Sequence, residues 1–175
     1  MQTTPVPQAS SAAPLPLGAN NRGGKYLIFH LGAEEFGTEV LKVREIMGMQ
    51  DITAIPQVPA YVKGVINLRG KVVPVIDLRL KFSMDAQVYT ARTCIIVMRT
   101  CPSGQELTVG MIVDGVVEVL NLGTSDIEDT PDFGPGVDIP YLIGMAKTKG
   151  KVKILLDIDQ VLASDELDRF VGTLQ

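Results

Sequence analysis

One hairpin chemistry is written twice in this chain. Ala60–Leu78 reads A-Y-V-K-G-V-I-N-L-R-G-K-V-V-P-V-I-D-L, and a shift of 80 residues lays it without a gap on Pro140–Ile158, P-Y-L-I-G-M-A-K-T-K-G-K-V-K-I-L-L-D-I. Six of nineteen positions are identical: Tyr61/Tyr141, Gly64/Gly144, Gly70/Gly150, Lys71/Lys151, Val72/Val152 and Asp77/Asp157. In each copy two β-type runs flank a dipeptide that ends in glycine, Arg69-Gly70 or Lys149-Gly150. Glycine tolerates positive φ, so each dipeptide predicts a tight hairpin turn.

The duplication continues upstream. F-G-T-E-V-L-K-V-R-E-I (36–46) matches V-G-M-I-V-D-G-V-V-E-V (109–119) at a shift of 73, with Gly37/Gly110, Val40/Val113, Val43/Val116 and Glu45/Glu118 identical. The loop segment Asp129–Asp138 absorbs the difference between the two shifts. Each unit then carries about five short strands in one order. Two units are too few for a solenoid or propeller. Small barrels that hide most strand edges, packed as a pseudo-symmetric pair, are the architecture this predicts. The groove between them is the natural concavity.

In chain order, residues 1–24 are rich in Pro, Ala, Ser, Thr, Gly and Asn and predict a flexible tail. Tyr26–Leu31 and Phe36–Val40 predict strands around a turn at Gly32–Glu35. Val40, Val43, Ile46 and Met47 have the spacing of a short helical turn facing a core, with a strand as the alternative that β-branching keeps open. Ile52–Ile55 predicts a further short strand. Phe82–Arg92 breaks the β pattern, and Thr93–Met98 and Leu107–Val113 restore it around a loop at Thr100–Gln105. After Asp159, the residues Leu162, Leu167, Phe170 and Val171 supply the apolar stripe of a C-terminal helix.

Composition excludes several functions. A hydrophobic content of 46% with 21% charged residues is that of a globular protein. A net charge of −4 without a Lys/Arg run gives no field for a nucleic-acid backbone. No Trp and only nine Tyr and Phe (four plus five) leave no stacking platform for single strands. Cys94 and Cys101 with the single His30 cannot close a zinc site. A reduced, intracellular protein is expected, with no apolar run of the roughly 20 residues that a span needs.

Few residues remain as candidates for chemistry. His30 sits alone in a strand and reads as a structural or surface histidine rather than a catalytic base or phosphoacceptor. Asp77 and Asp157 recur as a carboxylate pair, and a small acid–base enzyme using both is one alternative. Each, however, ends a strand and precedes a helical run, so helix capping explains both copies. Arg69 leaves two readings open: a solvated hairpin tip, or a planar guanidinium placed for a partner.

I-P-Q-V-P-A-Y-V-K-G-V-I-N-L-R-G-K-V-V-P-V-I-D-L (55–78) closely resembles the CheW family of chemotaxis coupling proteins, and Leu31–Ile46 and Val109–Leu120 fit it too. Asn67, Arg69, Gly70, Pro74 and Asp77 form the constellation that carries the likeness, which covers roughly Lys25–Leu162. The resemblance implies a mainly β fold of two intertwined SH3-like five-stranded barrels with a short C-terminal helix, a domain over 25–171. It implies a non-enzymatic cytoplasmic adaptor at membrane receptor arrays. The adaptor would couple the cytoplasmic tip of a methyl-accepting chemoreceptor to the regulatory domain of a CheA-type histidine kinase, without cofactor, metal, nucleic acid or membrane insertion. Its receptor-binding positions fall on Val43, Ile46, Arg69 and Cys94, although an aliphatic residue is usual at the last. A coupling protein of another receptor–kinase pathway, in surface motility or second-messenger control, is the nearer alternative.

Overall fold

The structure is a computed structural model, and it describes residues 22–102, 104–131, 134 and 139–163. Of the expected tail over 1–24, residues 1–21 lie outside the described residues, as do the stripe at Leu167, Phe170 and Val171 and most of the loop 129–138. The end of that tail is not free, since Arg22 donates to Ile143 O at 2.9 Å and pairs with Asp129, and Gly24 opens the first strand. The strands are β1 Gly24–Leu31, β2 Glu34–Glu39, β3 Val43–Gly48, β4 Val62–Leu68, β5 Lys71–Asp77, β6 Cys94–Thr100, β7 Leu107–Val113, β8 Gly115–Leu122, β9 Ile127–Glu128, β10 Leu142–Thr148 and β11 Lys151–Leu156. Two short helices follow the repeated hairpins, α1 at Leu78–Lys81 and α2 at Ile158–Leu162.

Two sheets form, in the orders β8-β1-β2-β11-β10-β9 and β3-β6-β7-β5-β4. The first sheet takes β1 and β2 from the first half of the chain and its remaining strands from the second half. The second sheet takes β3, β4 and β5 from the first half and β6 and β7 from the second. The halves are therefore intertwined, crossing once between β2 and β3 and once between β7 and β8. Ile127–Glu128 adds a sixth strand to one sheet. Its counterpart in the other half, the expected strand Ile52–Ile55, makes only the isolated bridge Thr53–Val65.

Both hairpins turn as the X-Gly dipeptides predict. Arg69 and Gly70 have φ of 52° and 88°, and Lys149 and Gly150 have 53° and 76°. Positive φ at both central residues is the type I′ signature, whose twist matches the flanking strands.

The first strand of each unit is buried on both faces, which explains why these runs are apolar throughout rather than alternating. On β1, Tyr26 and Ile28 point into the first barrel with Leu122, Ala146 and Leu155. On β6, Ile95 and Val97 point into the second with Ile66, Val75 and Ile112. The opposite faces, Leu27, Phe29 and Leu31 with Ile96 and Met98, pack together in the largest cluster, between the barrels. Phe29, Phe36, Phe82 and Tyr141 stack across that junction at centroid spacings of 6.0, 6.0 and 5.6 Å.

Two ion-paired clamps hold the crossovers. Arg79 on α1 grips Asp114, between β7 and β8, through Nε–Oδ1 at 2.9 Å and Nη2–Oδ2 at 2.7 Å, while Asp114 accepts the Gly32 amide at 2.6 Å from the β1–β2 turn. Asp159 on α2 takes Lys42, between β2 and β3, at 2.8 Å and accepts the Cys101 amide at 2.8 Å from the β6–β7 turn. Each clamp joins a helix, a crossover and a turn of the other sheet, with the charges reversed: the acid that also accepts the turn amide is the crossover residue Asp114 in one and the helix residue Asp159 in the other.

Candidate functional site

The segment Val40–Met47 decides the candidate site. The expected helical turn is confined to a 3-10 turn over Val40–Lys42, and the rest is β3. The three-residue spacing of Val43 and Ile46 arises from a β-bulge instead. Val43 pairs with Met98 but Glu45 pairs with Val97, leaving Arg44 as the extra residue. The bulge turns Val43 and Ile46 to the same face of the sheet, where simple alternation would oppose them. The face is that of Cys94, Ile96 and Met98, toward the inter-barrel cluster. β8 repeats the device: Phe29 pairs with Val116 and Ile28 with Glu118, so Val117 is the bulged residue.

Three of the four expected contact residues therefore share one face. Val43 is half-buried against the inter-barrel core. Ile46 is 45% exposed, which leaves its side chain open to a partner. Cys94 lies buried opposite Gly48, on the floor beside Ile46. Burial pushes its thiol up, against a hydrogen bond with the Val116 backbone that pulls it down. A neutral thiol packed this way acts as a small apolar side chain.

Arg69 stands apart from that face and reaches β3 from the other side. Its Nη2 lies 2.7 Å from Glu45 Oε1, and its side chain is 72% exposed. Glu45 points toward the barrel interior, beside Val97. The pair thus joins β3, at one end of the second sheet, to the hairpin after β4, at the other end, and marks where that sheet curls on itself. Asn67 steadies the tip by accepting the Gly70 amide at 2.8 Å. The first barrel repeats the pair with Lys149 and Glu118 at 2.8 Å. In the sequence Glu45 and Glu118 stand only as an identical pair of the duplication. The signal for their role was present: a glutamate and a hairpin-tip cation recur together.

The repeated aspartates are caps. Asp77 accepts the amides of Arg79 and Leu80, and also the Tyr89 hydroxyl at 2.9 Å; Asp157 accepts the Gln160 amide. Asp77 is 3% exposed, so no open carboxylate face is left for a substrate. Burial, then the Asp77 hydrogen bond, raises the Tyr89 hydroxyl pKa above its ordinary value. His30 packs against Gly115, where a Cβ would come within 2.6 Å of Nε2. Among the described residues no group of three His, Cys, Asp or Glu could hold a metal ion, and no helix is long and apolar enough to cross a membrane.

Comparison with known proteins agrees with this geometry. A family model described as the CheW-like domain matches residues 25–166. The chain is 41% identical over 151 residues to the chemotaxis protein CheW of Klebsiella aerogenes, covering 86% of this chain and 89% of that one. It is 36% identical over 146 residues to the chemotaxis protein CheW of Rhizobium meliloti, at coverages of 83% and 92%. The crystal structure of the scaffolding protein TtCheW from Thermoanaerobacter tengcongensis superposes with a TM-score of 0.71 at 32% identity, over 82% of this chain and 95% of that one.

Proposed function

This chain belongs to the CheW-like family of chemotaxis coupling adaptors, and from that premise we propose that it joins the cytoplasmic tip of a methyl-accepting chemoreceptor to the regulatory domain of a CheA-type histidine kinase. It works in the cytoplasm beside the receptor array, by binding rather than by turnover. The observation that supports the receptor contact best is the bulge in β3. It sets Val43 and Ile46 side by side on the groove face, with Cys94 beneath them and the Arg69–Glu45 pair at the strand's other side. An apolar ridge of this kind suits the apolar face of a helical hairpin.

The test uses Ile46, because Val43 also packs against the core. Ile46→Glu leaves the interior untouched and places a carboxylate in an apolar contact. It is expected to weaken co-sedimentation with a receptor cytoplasmic fragment by about 30-fold, near 2 kcal/mol, with a melting curve like wild type. A folded Ile46→Glu variant that binds as tightly as wild type removes β3 from the receptor site.

Arg69 gives a second expected result. Its exposed pair with Glu45 contributes about 0–1 kcal/mol to stability, so Arg69→Ala should change the melting temperature little. Receptor coupling and kinase activation should fall, because the planar fork makes fixed hydrogen bonds that a compact ammonium cannot. Arg69→Lys is then impaired too, whereas Lys149→Ala, at the matched tip of the other barrel, has much less effect. The measurement is kinase activity in a reconstituted mixture of receptor, kinase and each variant. Arg69→Ala behaving as wild type takes Arg69 off the interface.

A further inference from the structure

The mouth of the second barrel carries more positive charge than its fold uses. A cleft of about 250 Å³ opens there, with Arg44, Glu45, Arg69 and Lys71 around a floor of Leu68 and Val73. Three cations thus surround one carboxylate, and that carboxylate is occupied by Arg69 at 2.7 Å. Neither Arg44 nor Lys71 makes an ion pair with any described residue.

The first barrel sets two carboxylates against three lysines in the same region. Lys149 has Glu118, while Lys151 and Lys153 share Glu35 at 3.8 and 2.9 Å. Pairing with Lys153 holds the Glu35 carboxyl below its usual range, chiefly through the hydrogen bond from Nζ. The counterpart of Glu35 at the 73-residue shift is Thr108, which lines the cleft. The counterpart of Lys151 is Lys71, which is retained, and that of Val117 is Arg44, an added cation. Lys153, the closer partner of Glu35, is replaced by Val73, so the second barrel lacks that pair and keeps Lys71 with no carboxylate at the position of Thr108.

We propose that the cleft formed by Arg44, Arg69 and Lys71 binds an aspartate or glutamate side chain of the protein partner, which supplies the carboxylate that Glu35 supplies in the first barrel. The inference rests on the reading that β3 and Arg69 face the receptor, and it names the chemistry of the receptor segment beside the apolar contact. Charge complementarity at such a rim acts on encounter rate, specificity and salt dependence.

The experiment measures binding of the full chain to a soluble chemoreceptor cytoplasmic fragment between 0.05 and 0.3 M NaCl, roughly the range in which surface charges become screened. Arg44→Gln/Lys71→Gln should weaken binding about 10-fold at low salt and flatten the salt dependence. Thr108→Glu, which supplies a carboxylate from within the chain, should weaken it similarly. Lys71→Gln alone, at an exposed position, serves if either of the others fails to fold. If Ile46→Glu loses binding while all cleft variants bind like wild type, the carboxylate site is wrong and the receptor reading stands. If wild type does not bind the fragment, or Ile46→Glu binds normally, both fall. Inorganic phosphate should inhibit beyond NaCl at equal ionic strength, as an anion competing for the cleft, and should lose that effect in Arg44→Gln/Lys71→Gln; the same phosphate inhibition in that variant overturns the cleft site.

Discussion

Gly64→Ala is expected to destabilise the protein by about 3 kcal/mol or more, the range of backbone strain joined to an unrelieved clash. Gly64 has φ of +140°, and a Cβ there would stand 2.0 Å from Thr53 O and 2.7 Å from Thr53 C. Both atoms are main chain, so no rotamer change relieves the contact. The same Thr53 is fixed by two 2.9 Å hydrogen bonds to Val65, through its N–H and its carbonyl. Gly70→Ala meets open space at φ +88° and should cost only about 1 kcal/mol. Gly144→Ala should fall between: Glu128 O is 2.7 Å away, a milder main-chain contact than that of Gly64, and the other close atoms belong to the side chains of Ile127 and Arg22. Urea unfolding of the three variants checks the order. A Gly64→Ala loss no greater than that of Gly70→Ala would mean that the Thr53 crossing is not held in solution.

The second large effect is expected at the clamp of opposite polarity. Arg79→Met should cost about 2–3 kcal/mol, between the worth of an exposed pair and a fully buried one, because the side chains of Arg79 and Asp114 are 12% and 23% exposed. Burial alone pushes the Asp114 carboxyl up, but the Arg79 hydrogen bond, the Gly32 amide and the guanidinium charge outweigh it, and its pKa lies below the ordinary carboxylate value. The sign for stability follows. A depressed carboxylate contributes fully above the unfolded pKa of about 3.9, and its contribution fades as pH falls through the folded value. The gap between wild type and Arg79→Met should therefore be constant from neutral pH down to about pH 5 and close below about pH 4. The second clamp supplies a further check, since its helix residue is the acid and its crossover residue the base. Arg79→Asp/Asp114→Lys copies that polarity and should be more stable than the sum of the single losses. Strict additivity would show that the two side chains are not coupled.

The candidate site was legible in part. Val43, Ile46, Arg69 and Cys94 came from likeness to a family, and the structure gathers Val43, Ile46 and Cys94 on one face and ties Arg69 to β3 through Glu45. The spacing of Val43 and Ile46 leaves a helical turn and a strand both open, because a bulged strand and a helical turn both bring residues three apart to one side. Only the hydrogen-bond register separates them, and register is a property of two strands. The cation cleft was hidden for a similar reason. Arg44, Arg69, Lys71 and Thr108 lie on three segments far apart in the chain, and each alone reads as a solvated polar residue.

The sequence by itself determined the duplication, the strand-rich fold, the tight hairpin turns at Arg69-Gly70 and Lys149-Gly150, and the capping role of Asp77 and Asp157. These rest on interactions within a few residues, where glycine's freedom of φ and a cap's reach act directly on local sequence. The exchange of strands between barrels was decided in three dimensions. A repeat states that two halves are alike, not which half's β1 lies beside which half's β8. That choice follows from burying both faces of β1 and β6 at once, and from pairing Arg79 with Asp114 and Lys42 with Asp159, contacts that close only when the whole chain has folded.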